Sequence, residues 1–340
     1  MTTLYLTEPG TLVRIQNQTL IIQRQGQSRS CRMSELDLVV ILPGVQLTHA
    51  VLETLMDRGI ETLFMRQDGG FRGRIQGQFA TNPAIRMAQY QRLGSPVGQA
   101  IAIQVVLGKV QNQRVILQRQ NRATRGHITE LSEAVDAMSA HASQLVSQLP
   151  RTGPALTTEQ LMGIEGICGR LYFQGLRYCL PSRWNYQGRS RQPPMDPVNA
   201  LLSWGYGVLL ARMFSACVLA GLDPYLGFFH AVQPYRPNLV LDMMEEFRPV
   251  VVDVVALQVV NERLLDPADF EPSPEQDGIW LGGLAKKVYL AQLEERLRTP
   301  MLYPPQNRKL MLSQIMLEQA RLLARCLQDS ALSYEAFELK

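Results

Sequence analysis

Short runs of apolar and β-branched residues alternate with turn residues over the first eighty positions of the chain. Turn-forming pairs such as Pro9-Gly10 separate these runs, and Gly59 ends a segment with the apolar spacing of a short helix. The predicted strands are 4–6, 11–15, 19–23, 36–42, 60–65 and 71–75, and the predicted helix is 48–56. The pattern therefore predicts a small, mainly β domain over residues 1–82.

Helical spacing of apolar residues begins after Asn82-Pro83 and continues to the end of the chain. Asp196-Pro197 is a strong helix start, because aspartate caps the free amides and proline fits the first helical position. The predicted helices are 84–92, 97–120, 129–148, 158–178, 197–219, 242–259, 284–297 and 305–327, with a solvated loop at 266–277. The predicted fold class is α+β, with a small N-terminal mainly-β domain followed by a larger all-α C-terminal domain over 83–340.

The composition predicts a folded core, and the charge distribution shows a local excess of positive charge. Of the 340 residues 46% are hydrophobic and 19% are charged, which excludes a disordered chain. The net charge is only +4, but the window 66–125 holds ten basic residues against one acid. Five scattered cysteines without a CxxC pair, no leader-like N-terminus and no apolar run of about 18 residues predict a cytoplasmic protein outside the membrane.

Candidate chemistry lies near one of the four histidines. His230 ends an apolar segment, and Asp242 and Glu245 follow three residues apart, so they share one helix face. Carboxylates among apolar neighbours need a cation or hydrogen bonds to offset the cost of burial. An alternative stays open at this point: Asp242 is only a helix cap, and Glu245 pairs with Arg248.

Glu165 is a third acid in unusual surroundings. Gly163, Gly166 and Gly169 flank it in a predicted helix, which suggests close approach of another backbone or of a ligand. The segment 168–191 carries five arginines and no acid, a composition that suits phosphate. One histidine with two or three carboxylates suits Mg²⁺ or Mn²⁺, and a metal beside arginines indicates phosphodiester chemistry.

At these residues the chain resembles the large, metal-dependent integrase subunit of CRISPR adaptation, the Cas endonuclease that inserts new spacers. The resemblance extends over nearly the whole chain. It rests on the segments 44–48, 70–74 with Arg86, 163–166, 189–203, 221–230 and 241–249. It implies that Glu165, His230 and Glu245 are metal ligands, that Asp242 assists them, and that the β domain forms a homodimer.

The resemblance also implies the reaction and the partners. The 3′-hydroxyl of a captured double-stranded DNA fragment attacks the CRISPR repeat, and a small ferredoxin-like Cas subunit bridges two integrase dimers. Two alternatives stay open: a nuclease that hydrolyses branched or free DNA without integration, and a non-catalytic DNA-binding scaffold. The candidate phosphate contacts are Arg72, Arg74, Arg86, Arg183, Arg189 and Arg191.

Overall fold

The N-terminal part folds into two four-stranded sheets that share one core. The computed structural model describes residues 3–75, 77, 82–123, 128–149, 156–191, 193–230, 233–273, 277–329 and 331–339. In the first sheet, β1 (Thr3–Leu6), β5 (Leu38–Ile41) and β7 (Glu61–Met65) run parallel, and β8 (Phe71–Ile75) is antiparallel to β7. The second sheet, in the order β4-β3-β2-β6, consists of β2 (Leu12–Gln16), β3 (Thr19–Arg24), β4 (Gln27–Arg32) and β6 (Gln46–Leu47).

Strand β5 joins this part to the helical part. All four of its residues are buried. Alternate side chains of a strand point to opposite faces, so both faces of β5 are covered. Val39 and Ile41 lie in the core of the β part, with residues of α1 (His49–Asp57), whereas Leu38 and Val40 belong to the core of the helical part. The two parts therefore pack against each other through an apolar face of the first sheet.

The C-terminal part is mostly helical, as the sequence predicts. Its helices are α2 (Pro83–Arg92), α3 (Pro96–Ala123), α4 (Thr129–Ser147), α5 (Thr158–Tyr178), α6 (Pro197–Leu219), α7 (Asn238–Glu245), α8 (Val254–Asn261), α9 (Gly283–Arg298) and α10 (Leu312–Gln328). Asp196 caps α6 by accepting a hydrogen bond from the Asn199 amide, and Thr157 caps α5. Among the described residues α6 is the one helix that alone is long and apolar enough to cross a membrane, and most of its apolar stretch is buried inside the protein.

Two short hairpins interrupt the helical part where the sequence predicts loop or helix. Strands β9 (Phe270–Pro272) and β10 (Ile279–Leu281) pair within and just after the segment predicted as a solvated loop. Strand β11 (Pro300–Tyr303) precedes the predicted helix 305–327, and its partner β12 (Arg308–Met311) occupies the start of that helix, so α10 begins only at Leu312. Pro304 and Pro305 lie in the turn between β11 and β12, where neither needs to donate a backbone hydrogen bond.

The predicted helix 242–259 is longer and is divided into three pieces. Helix α7 begins at Asn238, a π-helical turn spans Arg248–Asp253, and α8 continues to Asn261. Pro249 has no amide hydrogen and cannot take part in the regular hydrogen-bond pattern. Such π turns are frequent at functional sites, and this one begins three residues after Glu245, the last residue of α7.

Candidate active site

The three predicted metal ligands come from distant segments, and two of them contact one lysine side chain. Glu165 is in the middle of α5, Glu245 is the last residue of α7, and His230 lies between α6 and α7. The ammonium of Lys109, on α3, contacts a carboxylate oxygen of Glu165 and lies 2.7 Å from Glu245 Oε2. His230 Nε2 is 3.9 Å from Glu245 Oε1. The structure therefore brings all three predicted residues together.

Asp242 holds His230 and its loop in place. Its Oδ2 accepts hydrogen bonds from the amides of Phe228 (2.6 Å) and Phe229 (2.9 Å), and Oδ1 accepts one from the His230 amide (3.0 Å). Oδ1 is also 2.6 Å from His230 Nδ1. With the proton of the imidazole on Nδ1, as this carboxylate favours, the lone pair of Nε2 is free on the side of Glu245.

The chain approaches Asp242 so closely because Gly227 has no side chain. A Cβ at Gly227 would lie only 2.5 Å from Asp242 Oδ2 and 2.8 Å from the Asn238 carbonyl carbon. The alternative in which Asp242 caps a helix is wrong, because α7 begins four residues earlier. The other half of that alternative is present, since Arg248 Nε lies 3.4 Å from Glu245 Oε1.

Buried charges keep Glu245 ionised. Burial alone would raise the pKa of Glu245, but the charges of Arg248 and Lys109 outweigh it and lower the pKa to about 2. Burial alone would likewise lower the pKa of Lys109, but Glu245 and Glu165 outweigh it and raise that pKa. The site thus holds two carboxylates against an ammonium and a guanidinium in a region with little water.

Lys109 is the residue of the candidate site that the sequence does not single out. It appears only as one of ten basic residues in a window, although a lysine between Gly108 and Val110 in an apolar helix is unusual. With the side chains as placed, no three His, Cys, Asp or Glu residues in the described ranges form a group that could hold a metal ion. The ammonium lies between two of the predicted ligands, where it contributes one positive charge.

The donor set nevertheless fits a hard divalent cation. Two carboxylates and a neutral imidazole nitrogen are ligands that Mg²⁺ and Mn²⁺ accept. Glu245 Oε2 is buried and has no well-aligned hydrogen-bond donor, and its near neighbour is the Lys109 ammonium. A carboxylate oxygen that already faces a cation in this way is suited to a metal once the ammonium moves aside.

Two cavities lined by arginines adjoin these residues. The first, of about 370 Å³, is lined by Lys109 and Glu165 together with Arg170, Arg189 and Arg191. The second, of about 630 Å³, shares Arg189 and Arg191 with the first. It adds basic and aromatic side chains, among them Arg66, Arg236, Arg248, Phe71, Trp204, Tyr206 and Trp280.

The Tyr206 ring lies against two of the guanidinium groups that line the second cavity. The Arg248 guanidinium lies 4.8 Å from the centre of the Tyr206 ring, and the Arg189 guanidinium lies 5.5 Å from it. The Tyr206 hydroxyl donates to the buried Asp253 at 2.6 Å, and Tyr172 donates to the same carboxylate at 2.8 Å. Burial raises the pKa of Asp253 to about 6 despite these hydrogen bonds.

The glycines beside Glu165 do not pack against another backbone, so that expectation is wrong. A Cβ at Gly163 or Gly166 would meet nothing within 4 Å, and one at Gly169 would be 3.9 Å from Glu165 itself. Gly166 and Gly169 instead line the first cavity. This face of α5 is open, which leaves the other expectation, approach by a ligand, as a prediction.

The six candidate DNA-binding arginines divide between the cavities and other places. Arg189 and Arg191 line both cavities. Arg74 is mostly buried, 3.3 Å from Glu61, and lies over the Phe214 ring, and Arg183 lies 3.4 Å from Asp266. Arg72 is exposed on β8, and Arg86 is half-buried on α2. The structure therefore brings two of the six to the site and gives Arg74 a place in the interior.

Comparison with known proteins supports the resemblance. Residues 4–295 match the family model described as CRISPR associated protein Cas1. A CRISPR-associated endonuclease Cas1 of Moorella thermoacetica is 34% identical over 99% of this chain and 98% of its own length. Another, from Rhodospirillum rubrum, is 33% identical over 98% of this chain and 97% of its own length.

Solved structures agree in fold. A chain of a Cas6-RT-Cas1–Cas2 complex aligns with TM-score 0.84 and 25% identity over all of this chain, which covers 36% of that chain. A Cas1 protein from Thermotoga maritima aligns over its whole length with TM-score 0.81 and 20% identity. A casposase bound to integration product aligns with TM-score 0.84 and 18% identity over all of this chain and 95% of that one. By its full-length sequence match, and with a fold that agrees, the chain belongs to the Cas1 family of CRISPR-associated proteins.

Proposed function

We propose that this protein is a metal-dependent DNA integrase of CRISPR adaptation, which joins the 3′-hydroxyl ends of captured DNA fragments to the CRISPR repeat by transesterification. Membership of a family whose curated members are named endonucleases makes it an enzyme that acts on phosphodiester bonds in DNA. The observation that carries the finer proposal is the meeting of Glu165, His230 and Glu245 beside an arginine-lined cavity.

Glu165, Glu245 and His230 Nε2 would hold Mg²⁺ or Mn²⁺. The bound cation would supply Lewis-acid polarisation of the phosphate and of the attacking hydroxyl. Lys109 would leave the space between the two carboxylates, and the first cavity, which it lines, gives its side chain room to do so. The ammonium would then neutralise phosphate instead of carboxylate.

The remaining residues bind and orient. Asp242 keeps the His230 proton on Nδ1, so Nε2 stays available as a lone-pair donor. Arg189 and Arg191 offer guanidinium groups to the DNA backbone, which positions the strand without reading its sequence. The attacking hydroxyl comes from DNA, so the protein needs no serine or tyrosine nucleophile.

The partners are part of the same proposal. We expect double-stranded DNA, both fragment and repeat, a homodimer formed through the β domain, and a small ferredoxin-like Cas subunit. One structural relative at 25% identity is part of a complex named for Cas1 and Cas2, which supports a Cas partner. The homodimer and the shape of the small subunit depend on the family resemblance.

Hydrolysis is the second candidate, because several close relatives are named endonucleases. Water can replace the DNA hydroxyl in the same site without any change in the protein residues. The two reactions differ in product: hydrolysis leaves cut ends, whereas transesterification leaves a joined strand.

Substitution of two proposed ligands tests the function. We expect Glu165→Gln and His230→Ala to abolish joining of a labelled fragment to a repeat-bearing plasmid, in Mg²⁺ or Mn²⁺ with the small subunit, while fragment binding persists. Glu159→Gln, an exposed acid in the first turn of the same helix, is the matched control and keeps full joining. Unchanged joining by Glu165→Gln would refute the site, and cutting without joined product would favour hydrolysis.

A further inference from the structure

An irregular segment after α10 packs beside the candidate active site. Residues 331–339, here called the C-terminal segment, form no helix or strand, yet Tyr334, Phe337 and Leu339 are buried. Phe337 stacks on Phe247, with ring centres 5.7 Å apart and the planes nearly parallel. Phe247 lies two residues beyond the proposed ligand Glu245. A loosely held segment would not be buried in this way.

Asn112 of α3 connects the C-terminal segment to the end of α7. Its Nδ2 donates to the carbonyl oxygens of Glu246 and Phe337, each at 2.8 Å, and its Oδ1 accepts from the Leu339 amide at 2.7 Å. Asn112 is completely buried and lies one helical turn from Lys109. One side chain therefore joins the segment, the residue after Glu245 and the helix that carries Lys109.

Glu246 makes the complementary contacts. Its buried carboxylate accepts hydrogen bonds from the Tyr334 hydroxyl (2.8 Å), from the Phe337 amide and from Gln319 Nε2 (3.2 and 3.3 Å). A buried carboxylate needs several donors to offset its desolvation, and two of these come from the C-terminal segment. Glu246 is therefore held at two points, its backbone carbonyl oxygen and its side-chain carboxylate.

We propose that the C-terminal segment is a positioning element for the active site: it fixes Glu245 relative to Lys109 and Glu165 by binding Glu246 and Asn112. Glu245 and Glu246 are consecutive, so a displacement of Glu246 carries Glu245 with it. None of the segment's residues touches substrate in this role. For its effect on the reaction the inference rests on the proposed function, but its effect on the Lys109–Glu245 ion pair does not.

Gly108 offers a way to displace the segment with one methyl group. A Cβ at Gly108 would lie 2.4 Å from Ala336 Cβ, whereas its next neighbour is Glu246 Cβ at 3.4 Å. In Gly108→Ala the C-terminal segment must therefore shift, although alanine favours the helix itself. The compensating variant Gly108→Ala/Ala336→Gly moves the methyl from the segment to the helix and removes the clash. Ala336→Gly alone is the matched control.

The first measurement uses neither metal nor DNA. A double-mutant cycle of Lys109→Met and Glu245→Gln, followed by thermal unfolding, gives the coupling between these side chains. We expect the coupling to fall to less than half in the Gly108→Ala background and to recover in the compensating variant. Unchanged coupling in a folded Gly108→Ala protein would overturn the proposal. Coupling that stays low in the compensating variant Gly108→Ala/Ala336→Gly would also overturn it.

The second measurement is strand transfer at saturating DNA. We expect Gly108→Ala to slow the reaction by about 10- to 100-fold, as small misplacements of catalytic groups do, with the Kd for DNA within about twofold. The compensating variant should recover the rate. A loss of DNA affinity with an unchanged rate constant would contradict a positioning role. If the unaltered protein joins no DNA, the proposed function fails, while the coupling measurement still decides the role of the segment.

Discussion

Replacing Asp242 by asparagine tests whether this side chain directs His230. Four donors face the carboxylate: the amides of Phe228, Phe229 and His230, and the imidazole Nδ1. An asparagine keeps the volume but turns one acceptor oxygen into an NH₂ donor. If the NH₂ group replaces Oδ2, the buried Phe229 amide and the partly buried Phe228 amide lose their acceptor. If it replaces Oδ1, the His230 amide loses its acceptor, and the imidazole proton moves to Nε2.

Both orientations damage the site, and the magnitude follows from the lost contacts. Each unsatisfied buried group costs about 1–3 kcal/mol, so we expect the free energy of unfolding to fall by about 2–5 kcal/mol. Loss of an oriented imidazole should weaken Mn²⁺ binding by about 10- to 100-fold.

Urea unfolding and calorimetric Mn²⁺ titration measure the two effects, and the proton position can be checked from the ¹⁵N shifts of His230. Asp223→Asn is the matched control, because this half-buried aspartate of the same loop accepts from the Tyr225 amide and the Tyr90 hydroxyl. It should leave Mn²⁺ affinity unchanged. If Asp242→Asn retains both stability within 1 kcal/mol and full Mn²⁺ affinity, the assignment of Asp242 as the residue that orients His230 is refuted.

Three further predictions follow from the charges around the site. Lys109→Met should tighten Mn²⁺ binding measured by calorimetry, because the ammonium no longer competes for Glu245 Oε2; weaker binding would contradict this competition. Asp253 has a folded-state pKa of about 6 against an ordinary value of 3.8, so the folded protein binds the extra proton and stability falls as pH rises through that window. Asp253→Asn should reduce the fall in unfolding free energy, measured in urea, between about pH 4 and pH 6, and an unchanged pH profile would refute the burial argument. Arg189→Ala should weaken DNA binding and lower the salt dependence of that binding by the equivalent of about one phosphate contact. Arg74→Ala should lower stability but leave DNA affinity and its salt dependence unchanged. Equal effects of the two substitutions on DNA binding would contradict this prediction.

Secondary structure could be predicted wherever a segment is buried on one face, because its apolar residues then recur at a regular spacing. Five of the six predicted strands in the first eighty residues match observed ones almost residue for residue, and so do most helices. The sequence pattern does not predict strand β4, because Gln27–Arg32 is a polar strand of the second sheet, almost all exposed, with no alternation of apolar residues. It does not predict the hairpins β9–β10 and β11–β12 either, because strands of three or four residues are too short to show a period.

The candidate site shows the same division. Histidine and carboxylates in apolar surroundings were recognisable, because a buried charge is costly wherever it lies. The role of Asp242 as a hydrogen-bond acceptor for its loop could not be deduced, since it depends on the turn at Gly227. The role of Lys109 could not be deduced either. The contact of its ammonium with Glu165 joins residues 56 positions apart, and such a distance leaves no pattern in a single sequence.

The fold class, the set of ionisable residues and the chemistry that such a set permits can be deduced from the sequence, because local periodicity and the cost of burying charge are properties of short segments. Which charges meet is set by the tertiary structure. It placed an ammonium between two carboxylates, turned Arg74 into the interior while Arg189 faces a cavity, and bound the end of the chain against Glu246 and Asn112. These contacts depend on how distant elements pack, and packing is a property of the whole chain.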